Sequence, residues 1–204
     1  MENDVAYRIA LSLIMAVFIA HRGYYTRKFG STPPGDAEAP AAPDSLAVAV
    51  VALLALIATV AYFVSPTLVD WAALPFPDPL RWSGLAVAAA GFALLQWSHA
   101  ALGHNWSDEP RLVEGQTLTT NGPYRWVRHP IYTAFLIYLA APLFIAANWA
   151  VGVPWIVMTA LETRRRVLFE EALMRERFPE EYGPYVQRTG RLIPKLGAGA
   201  SGKD

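Results

Sequence analysis

Residues 45–64 read SLAVAVVALLALIATVAYFV, twenty residues without a charge. A hydrocarbon layer about 30 Å thick is crossed by a helix of roughly 20 apolar residues. A helix on the surface of a soluble bundle would carry a polar stripe, and this run has none. It predicts a membrane-spanning helix, and the remainder of the chain must suit that solvent. The composition agrees, with a hydrophobic share of 54% and only 17% charged residues, which are bunched.

Other spans follow from the same reasoning. Residues 82–102 form one, with Arg81 just outside and His99 near the far end. A weaker first span covers 5–20 and includes Arg8 near its edge. Residues 131–161 are too long for one crossing and are interrupted at Asn148-Trp149, with Pro142, Gly152 and Pro154 nearby. They read as a tight hairpin of two short helices, the second extended by polar residues after Thr159. The expected fold is all-α and polytopic, with about five spans and a cytoplasmic helical tail. It forms one domain over 1–204: N-terminal spans and linkers to residue 80, a catalytic core over 81–196, and a flexible end over 197–204.

Charge placement supports that topology. With the N-terminus outside, segments 21–44, 103–130 and 162–204 face the cytoplasm and hold 15 of the 17 Lys and Arg. Only Arg8 and Arg81 fall on the other side, as the positive-inside rule requires. Residues 30–44 are a Pro/Ala-rich linker. Residues 65–79 carry Trp71, Phe76 and four prolines, which suits an extracytoplasmic segment lying in the interface. The first apolar run lacks a basic leader and a cleavage site, so no cleavable signal peptide is expected. The terminal Ser-Gly-Lys-Asp carries no prenylation signal. No internal repeat is evident. The absence of cysteine excludes disulfides, a thiolate nucleophile and cysteine metal sites.

Two polar clusters sit on the cytoplasmic side. The first is GPYRWVRHPIY, residues 122–132. Gly122-Pro123 marks a turn, and Pro130 fits the first position of a helix. His129 then stands at the helix mouth, where backbone N–H groups, Arg125 and Arg128 would welcome a carboxylate or phosphate. Tyr124, Trp126 and Tyr132 offer flat walls for a nucleobase. An interfacial basic-aromatic anchor explains the same residues equally well.

The second cluster is LETRRRVLFEEAL, residues 161–173. Glu162, Arg166 and Glu170 recur every four residues and share one helix face. Glu171 points about 140° away from Arg166, given 100° per residue. Val167, Leu168 and Leu173 are available for packing. A solvated, salt-bridged helix with a positive-inside stop is the plainer reading.

The order and spacing of these clusters resemble the isoprenylcysteine carboxyl methyltransferase family, within the wider membrane phospholipid methyltransferase group. The similarity rests on LGHNWS (102–107), LTTNGPYRWVRHPIY (118–132), RVLFEEALMRERFPEEYGPY (166–185) and RTGRLIP (188–194). It implies S-adenosylmethionine as methyl donor, bound on the cytoplasmic side between hairpin and tail. The family's cofactor motif falls on Gly122, Tyr124, Arg128, His129, Pro130 and Tyr132, with Glu170 closing the pocket. Its catalytic arginine and glutamate fall on Arg166 and Glu171. Many relatives carry histidine where this chain has Gln116, which hydrogen-bonds the cofactor without titrating. Many also read Gly-Val-Tyr in place of Gly-Pro-Tyr, a stiffer turn here.

A carboxylate acceptor is ionised at neutral pH and needs a cation to hold it, a role suited to Arg166. Glu171 would orient that arginine or favour the cofactor's positive charge. An amine acceptor would instead need a base, which Glu170 and Glu171 offer. The expected function is carboxyl O-methylation of an isoprenylcysteine-like lipophilic acceptor at the cytoplasmic leaflet. N-methylation of a phospholipid or similar amphiphile is the alternative. From other classes, an NADPH-dependent sterol-type reductase and a non-catalytic scaffold remain.

Single residues take plain readings. His99 and His104 lack carboxylate companions, so no metal is expected. His21 reads as interfacial, Trp97 and Trp106 as anchors, and Tyr182 and Tyr185 as packing the tail against the membrane. Asn105-Trp106 also borders a possible substrate entrance. No nucleic-acid reader motif appears.

Overall fold

The computed structural model describes residues 2–29, 45–106 and 115–195. The linker 30–44, Ser107, Arg111 and the end over 197–204 lie outside the described residues. The helices are α1 (Glu2–Phe29), α2 (Ser45–Val64), α3 (Asp78–Leu102), α4 (Pro130–Tyr138), α5 (Ala141–Ala146), α6 (Trp149–Arg177) and α7 (Pro179–Arg188). Short 3₁₀ turns occupy Pro66–Ala72, Gly103–Asn105 and Gly122–Arg125. No named strand occurs among the described residues. The fold is that of a polytopic membrane protein.

Three helices, within α1, α2 and α3, are long and apolar enough to cross a bilayer. Leu53, Leu56, Ile57 and Val60 of α2 all point outward and are more than half or nearly half exposed, as do Val5, Ile9 and Leu13 of α1. Such surfaces are costly in water and neutral in lipid. The inner stripe of α1 is Tyr7, Leu11 and Ile14, which join Tyr62, Ala88, Tyr138 and Ile145 in one core. That spacing follows the 3.6-residue turn.

Side-chain contacts fix the antiparallel order of the first three helices. At one end Tyr7 Oη donates to Asp78 Oδ1 at 2.8 Å, and Arg8 Nη1 donates to the Phe63 carbonyl at 3.2 Å. Arg81 donates through Nε and Nη2 to the Ile145 carbonyl at 3.1 and 3.0 Å. Its guanidinium also lies 3.5 Å above the centre of the Tyr7 ring. The two basic residues expected on the minority side thus cap carbonyls in the last turns of α2 and α5, where a cation is favoured. At the opposite end His21 Nε2 lies 3.0 Å from Gln96 Oε1, and Tyr25 stacks on His99 at 4.0 Å. His21 is buried in this contact, so the interfacial reading is corrected.

A stripe of small residues on α3 lets the hairpin approach. A Cβ built on Gly91 would lie 2.7 Å from the Tyr138 nitrogen. The hairpin turns at Ala147, whose φ of 48° is left-handed, and Asn148 caps α6 by accepting from the Val151 N–H at 3.1 Å. Asn148 Nδ2 also donates to the Val69 carbonyl at 2.7 Å, tying the turn to the 3₁₀ segment. The first arm is two helices rather than one, broken at Leu139-Ala140. The second arm, α6, runs on through Arg177, far past its apolar portion.

Candidate functional site

At the His21 end of the bundle a cavity of about 420 Å³ lies between α1, α4, α6, α7 and the segment 116–124. One face of α6 supplies Met158, Thr159, Glu162, Thr163, Arg166 and Glu170. This is the charge ladder read from the sequence, and it faces the cavity instead of bulk water. Glu162 Oε2 accepts from Arg165 Nη2 at 2.9 Å and from Arg166 Nε at 3.3 Å. Val167 and Leu173 are buried, whereas Leu168 is exposed.

Of the ten site residues expected from the sequence, Gln116, Tyr124, Arg128, His129, Tyr132, Arg166 and Glu170 line this cavity. Gly122 and Pro130 do not; they shape its backbone. Gly122 has a φ of 53°, and a Cβ there would lie 2.8 Å from the Ala101 Cβ. Pro130 opens α4, with His129 as the residue before it. Glu171 sits one layer behind the wall, 1% exposed, on the other side of α6 from Arg166.

Glu171, itself buried, gathers a cluster of charges, of which Arg175 and Arg191 reach the surface. Arg128 Nε donates to its Oε1 at 3.1 Å, and Arg191 Nη2 donates to its Oε2 at 2.6 Å. Arg175 Nη2 lies 3.4 Å from the same oxygen, and His129 Nε2 lies 3.5 Å from Oε1. Burial alone would raise the Glu171 pKa, but His129, Arg191 and Arg128 outweigh it and hold the carboxyl well below its usual range. Glu171 thus orients Arg128 and Arg191.

His129 lies between two carboxylates, with Nδ1 3.4 Å from Glu170 Oε2. Burial would lower its pKa, and Glu170 and Glu171 together overcome that and raise it. The Tyr132 hydroxyl donates to Glu170. The mouth of α4 thus already holds the protein's own carboxylates. That corrects the simple expectation of a cationic entrance awaiting an anion.

The C-terminal segment completes the wall, a part sequence reading left without roles. The Arg128 and His129 N–H groups donate to the Gly190 and Arg191 carbonyls at 2.9 and 3.1 Å, and the Gly190 N–H donates to Trp126 at 2.9 Å. Arg128 Nη1 donates to the Thr189 carbonyl at 2.6 Å. Tyr185 Oη donates to the Tyr124 carbonyl at 2.7 Å, so both tail tyrosines pack against protein and not against lipid. Burial pushes the Tyr182 phenol up to about 12.

The aromatic run divides between the two readings left open. Arg125 and Trp126 behave as an anchor: the guanidinium lies 3.8 Å over the indole, which is 41% exposed and meets Trp97 edge-on. Tyr124 and Tyr132 belong to the cavity. Trp106 is buried and lines it too, correcting its anchor assignment. Asn105 fixes the roof by accepting from the Thr117 N–H at 3.2 Å and donating to Thr119 Oγ1 at 2.9 Å.

Three buried polar atoms have no hydrogen-bond partner among the described residues: His129 Nε2, Thr163 Oγ1 and Tyr182 Oη. All three residues line the cavity. Thr163 was legible from spacing, three residues before Arg166 on the same face, though sequence reading passed over it.

The comparisons fit this geometry. Residues 84–176 match the isoprenylcysteine carboxyl methyltransferase family. That match spans most of α3, all of α4 and α5, and nearly all of α6. A probable protein-S-isoprenylcysteine O-methyltransferase of Oryza sativa subsp. indica is 26% identical over 129 residues, 60% of this chain and 68% of the relative. Protein-S-isoprenylcysteine O-methyltransferase B of Arabidopsis thaliana is 29% identical over 84 residues, 41% of this chain and 43% of the relative. The solved structure of a eukaryotic intramembrane Ras methyltransferase shares the fold, with a TM-score of 0.68 at 19% identity. That likeness covers 94% of this chain and 67% of the other.

Proposed function

We propose that this protein is a membrane S-adenosylmethionine-dependent carboxyl O-methyltransferase for an isoprenylcysteine-like or other lipophilic acceptor. The observation that carries this reading is one cavity with two contrasting ends. His129, Thr163 and Tyr182, each with a buried polar atom that makes no hydrogen bond among the described residues, line one end. Phe18, Phe135, Leu139 and Trp155 make the other apolar. Buried polar atoms ordinarily find partners, so this end suits a ligand rich in donors and acceptors.

The residues fit the nucleoside donor. Tyr124, His129, Tyr132 and Glu170 would hold it, with Arg128, Thr163, Tyr182 and Gln116 alongside. When bound, it supplies an electrophilic methyl group on a sulfonium. Arg166 then holds the acceptor carboxylate, and Glu171 acts one layer back by fixing Arg128 and His129. Water exclusion and alignment supply the rate acceleration, because an ionised carboxylate needs no base.

The acidic groups argue for carboxylate over amine acceptors. Glu162 answers Arg165 and Arg166, and Glu170 faces His129 and Tyr132. A base for an amine would have to leave one of those contacts. The positive-inside pattern supports a cavity at the cytoplasmic leaflet with the N-terminus outside.

The test is calorimetric titration of the detergent-purified chain with S-adenosylhomocysteine and, separately, NADPH. Binding of the first and not the second is expected. Failure to bind S-adenosylhomocysteine overturns the methyltransferase reading, and selective binding of NADPH would favour a reductase.

A further inference from the structure

Helix α2 contributes no residue to the main cavity, yet a hydrogen bond to it fixes one of that cavity's walls. Trp155 Nε1 donates to Thr59 Oγ1 at 3.0 Å, and the Thr59 hydroxyl in turn donates to the Ala55 carbonyl at 2.7 Å. Thr59 is buried, on a helix whose outer face is apolar. Where hydrocarbon surrounds the helices, no water competes for such a bond, and it holds the indole in one orientation.

Trp155 also lines a second chamber, of about 220 Å³. Ile14, Tyr138 and Pro142 wall that chamber alone, whereas Phe18, Leu139 and Trp155 line both spaces and so divide them. The polar side-chain atoms on the chamber's walls are already used. The Tyr138 hydroxyl donates to the Ile14 carbonyl at 2.6 Å, and the indole donates to Thr59. The chamber therefore suits hydrocarbon and rejects a headgroup. An apolar cavity of about 150 Å³ holds benzene, so this one has room for about nine carbons. Of the three dividing side chains, Trp155 is the largest and the only one that can hydrogen-bond.

We propose that Trp155 is a specificity-determining residue, a fixed partition that sets the size of hydrocarbon tail the acceptor can carry, with Thr59 as its positioning residue on α2. The occupant of the chamber is the acceptor's own tail, because the two spaces meet at the apolar end of the main cavity. The proposal deepens the methyltransferase reading and rests on it, and the acceptor carboxylate stays with Arg166. While the indole is fixed, tail carbons beyond the chamber's capacity meet a rigid wall. Without it the two spaces merge, and a longer tail fits.

The test compares N-acetyl-S-farnesylcysteine with N-acetyl-S-geranylgeranylcysteine, which share one head and differ by five tail carbons. Both are radiolabelled and bound at equilibrium to the full chain in detergent, without any donor. The readout is the ratio of the two affinities, in which partition into detergent cancels between variants. Trp155→Ala should shift the ratio toward the longer tail by about tenfold, the lower end of what pocket size alone achieves. Trp155→Phe keeps a ring without the N–H and should fall between. Thr59→Val touches neither space and should shift the ratio the same way by about threefold, the size of an interhelical hydrogen bond in a membrane protein. Unchanged affinity for S-adenosylhomocysteine in these variants shows that the fold and the donor end are intact. An unchanged ratio in both Trp155 variants overturns the proposal and assigns the chamber to a bilayer lipid. A ratio that moves in Trp155→Ala but not in Thr59→Val removes Thr59 from its positioning role. Failure of the wild type to bind either compound also overturns the proposal. Failure of the wild type to bind S-adenosylhomocysteine would sink the methyltransferase reading separately, since the ratio involves no donor.

Discussion

Arg128 and Glu171 form an ion pair across 3.1 Å, with their side chains 8% and 1% exposed. Removing one partner of such a pair strands the other charge in a poorly solvating interior. Glu171→Gln should therefore destabilise the chain by about 3–5 kcal/mol, a melting shift of roughly 10 °C. The carboxyl pKa is depressed in the folded state, so its contribution is present above the unfolded value and is lost as pH falls through the folded value. Thermal melts in detergent from neutral to acid pH should show the wild type losing its advantage over Glu171→Gln as the medium is acidified. Parallel curves across that range would refute the role given to Glu171.

His129 gives the opposite sign. Its pKa is raised in the folded state by Glu170 and Glu171 against the lowering effect of burial. The stabilisation is full below the unfolded value of about 6.5 and is lost as pH rises through the folded value. The melting difference between wild type and His129→Gln should shrink from mildly acidic toward alkaline pH. A difference independent of pH would mean that the ring is neutral throughout.

Much of this was legible in the sequence because the bilayer imposes simple rules. Uncharged length gave α2, and the alternation of basic loops gave the shared end on which α1, α3 and α6 meet the site. Helical spacing placed Glu162, Arg166 and Glu170 together and put Glu171 on another face, as observed. What spacing does not carry is which face of α6 meets which neighbour. The Glu171 partners Arg128 and Arg191 lie 43 and 20 residues away, and only packing of the tail brings them together. The strap from Thr189 to Leu192 was hidden for a similar reason: it acts largely through backbone carbonyls, and a carbonyl leaves no residue signature. Phe18, which lines the cavity from α1, lies far from every motif.

Arg166 and Glu162 are coupled on the cavity face, with Nε 3.3 Å from Oε2. Under the proposed function Arg166→Ala should keep S-adenosylhomocysteine affinity within a few-fold while methyl transfer to a prenylcysteine analogue falls by about 100-fold or more, the loss of a charge-assisted contact with the reacting group. Arg166→Lys should recover part of the rate, since charge returns without the bidentate fork. Radiolabel transfer measured beside calorimetric binding separates the two effects. Full activity in Arg166→Ala would remove this arginine from the acceptor site.

The hairpin that carries the site depends on one close approach, Gly152 against Leu143. A Cβ on Gly152 would lie 2.3 Å from the Leu143 Cα, which is backbone and has no rotamer to yield. Gly152→Ala should thus force α5 and α6 apart at a cost of about 1–3 kcal/mol. Gly183 in α7 is the matched control, because a Cβ there meets nothing within 4 Å. Gly183→Ala should be neutral or raise stability by up to about 1 kcal/mol through helix propensity. Melting both variants with and without S-adenosylhomocysteine tests the link from packing to site. The ligand-induced gain in melting temperature should shrink in Gly152→Ala and persist in Gly183→Ala, since α6 carries Thr163, Arg166 and Glu170 on the cavity wall. An equal gain in the two variants would show that the site tolerates displacement of its own hairpin, and the rigid-wall account of the cavity would fail.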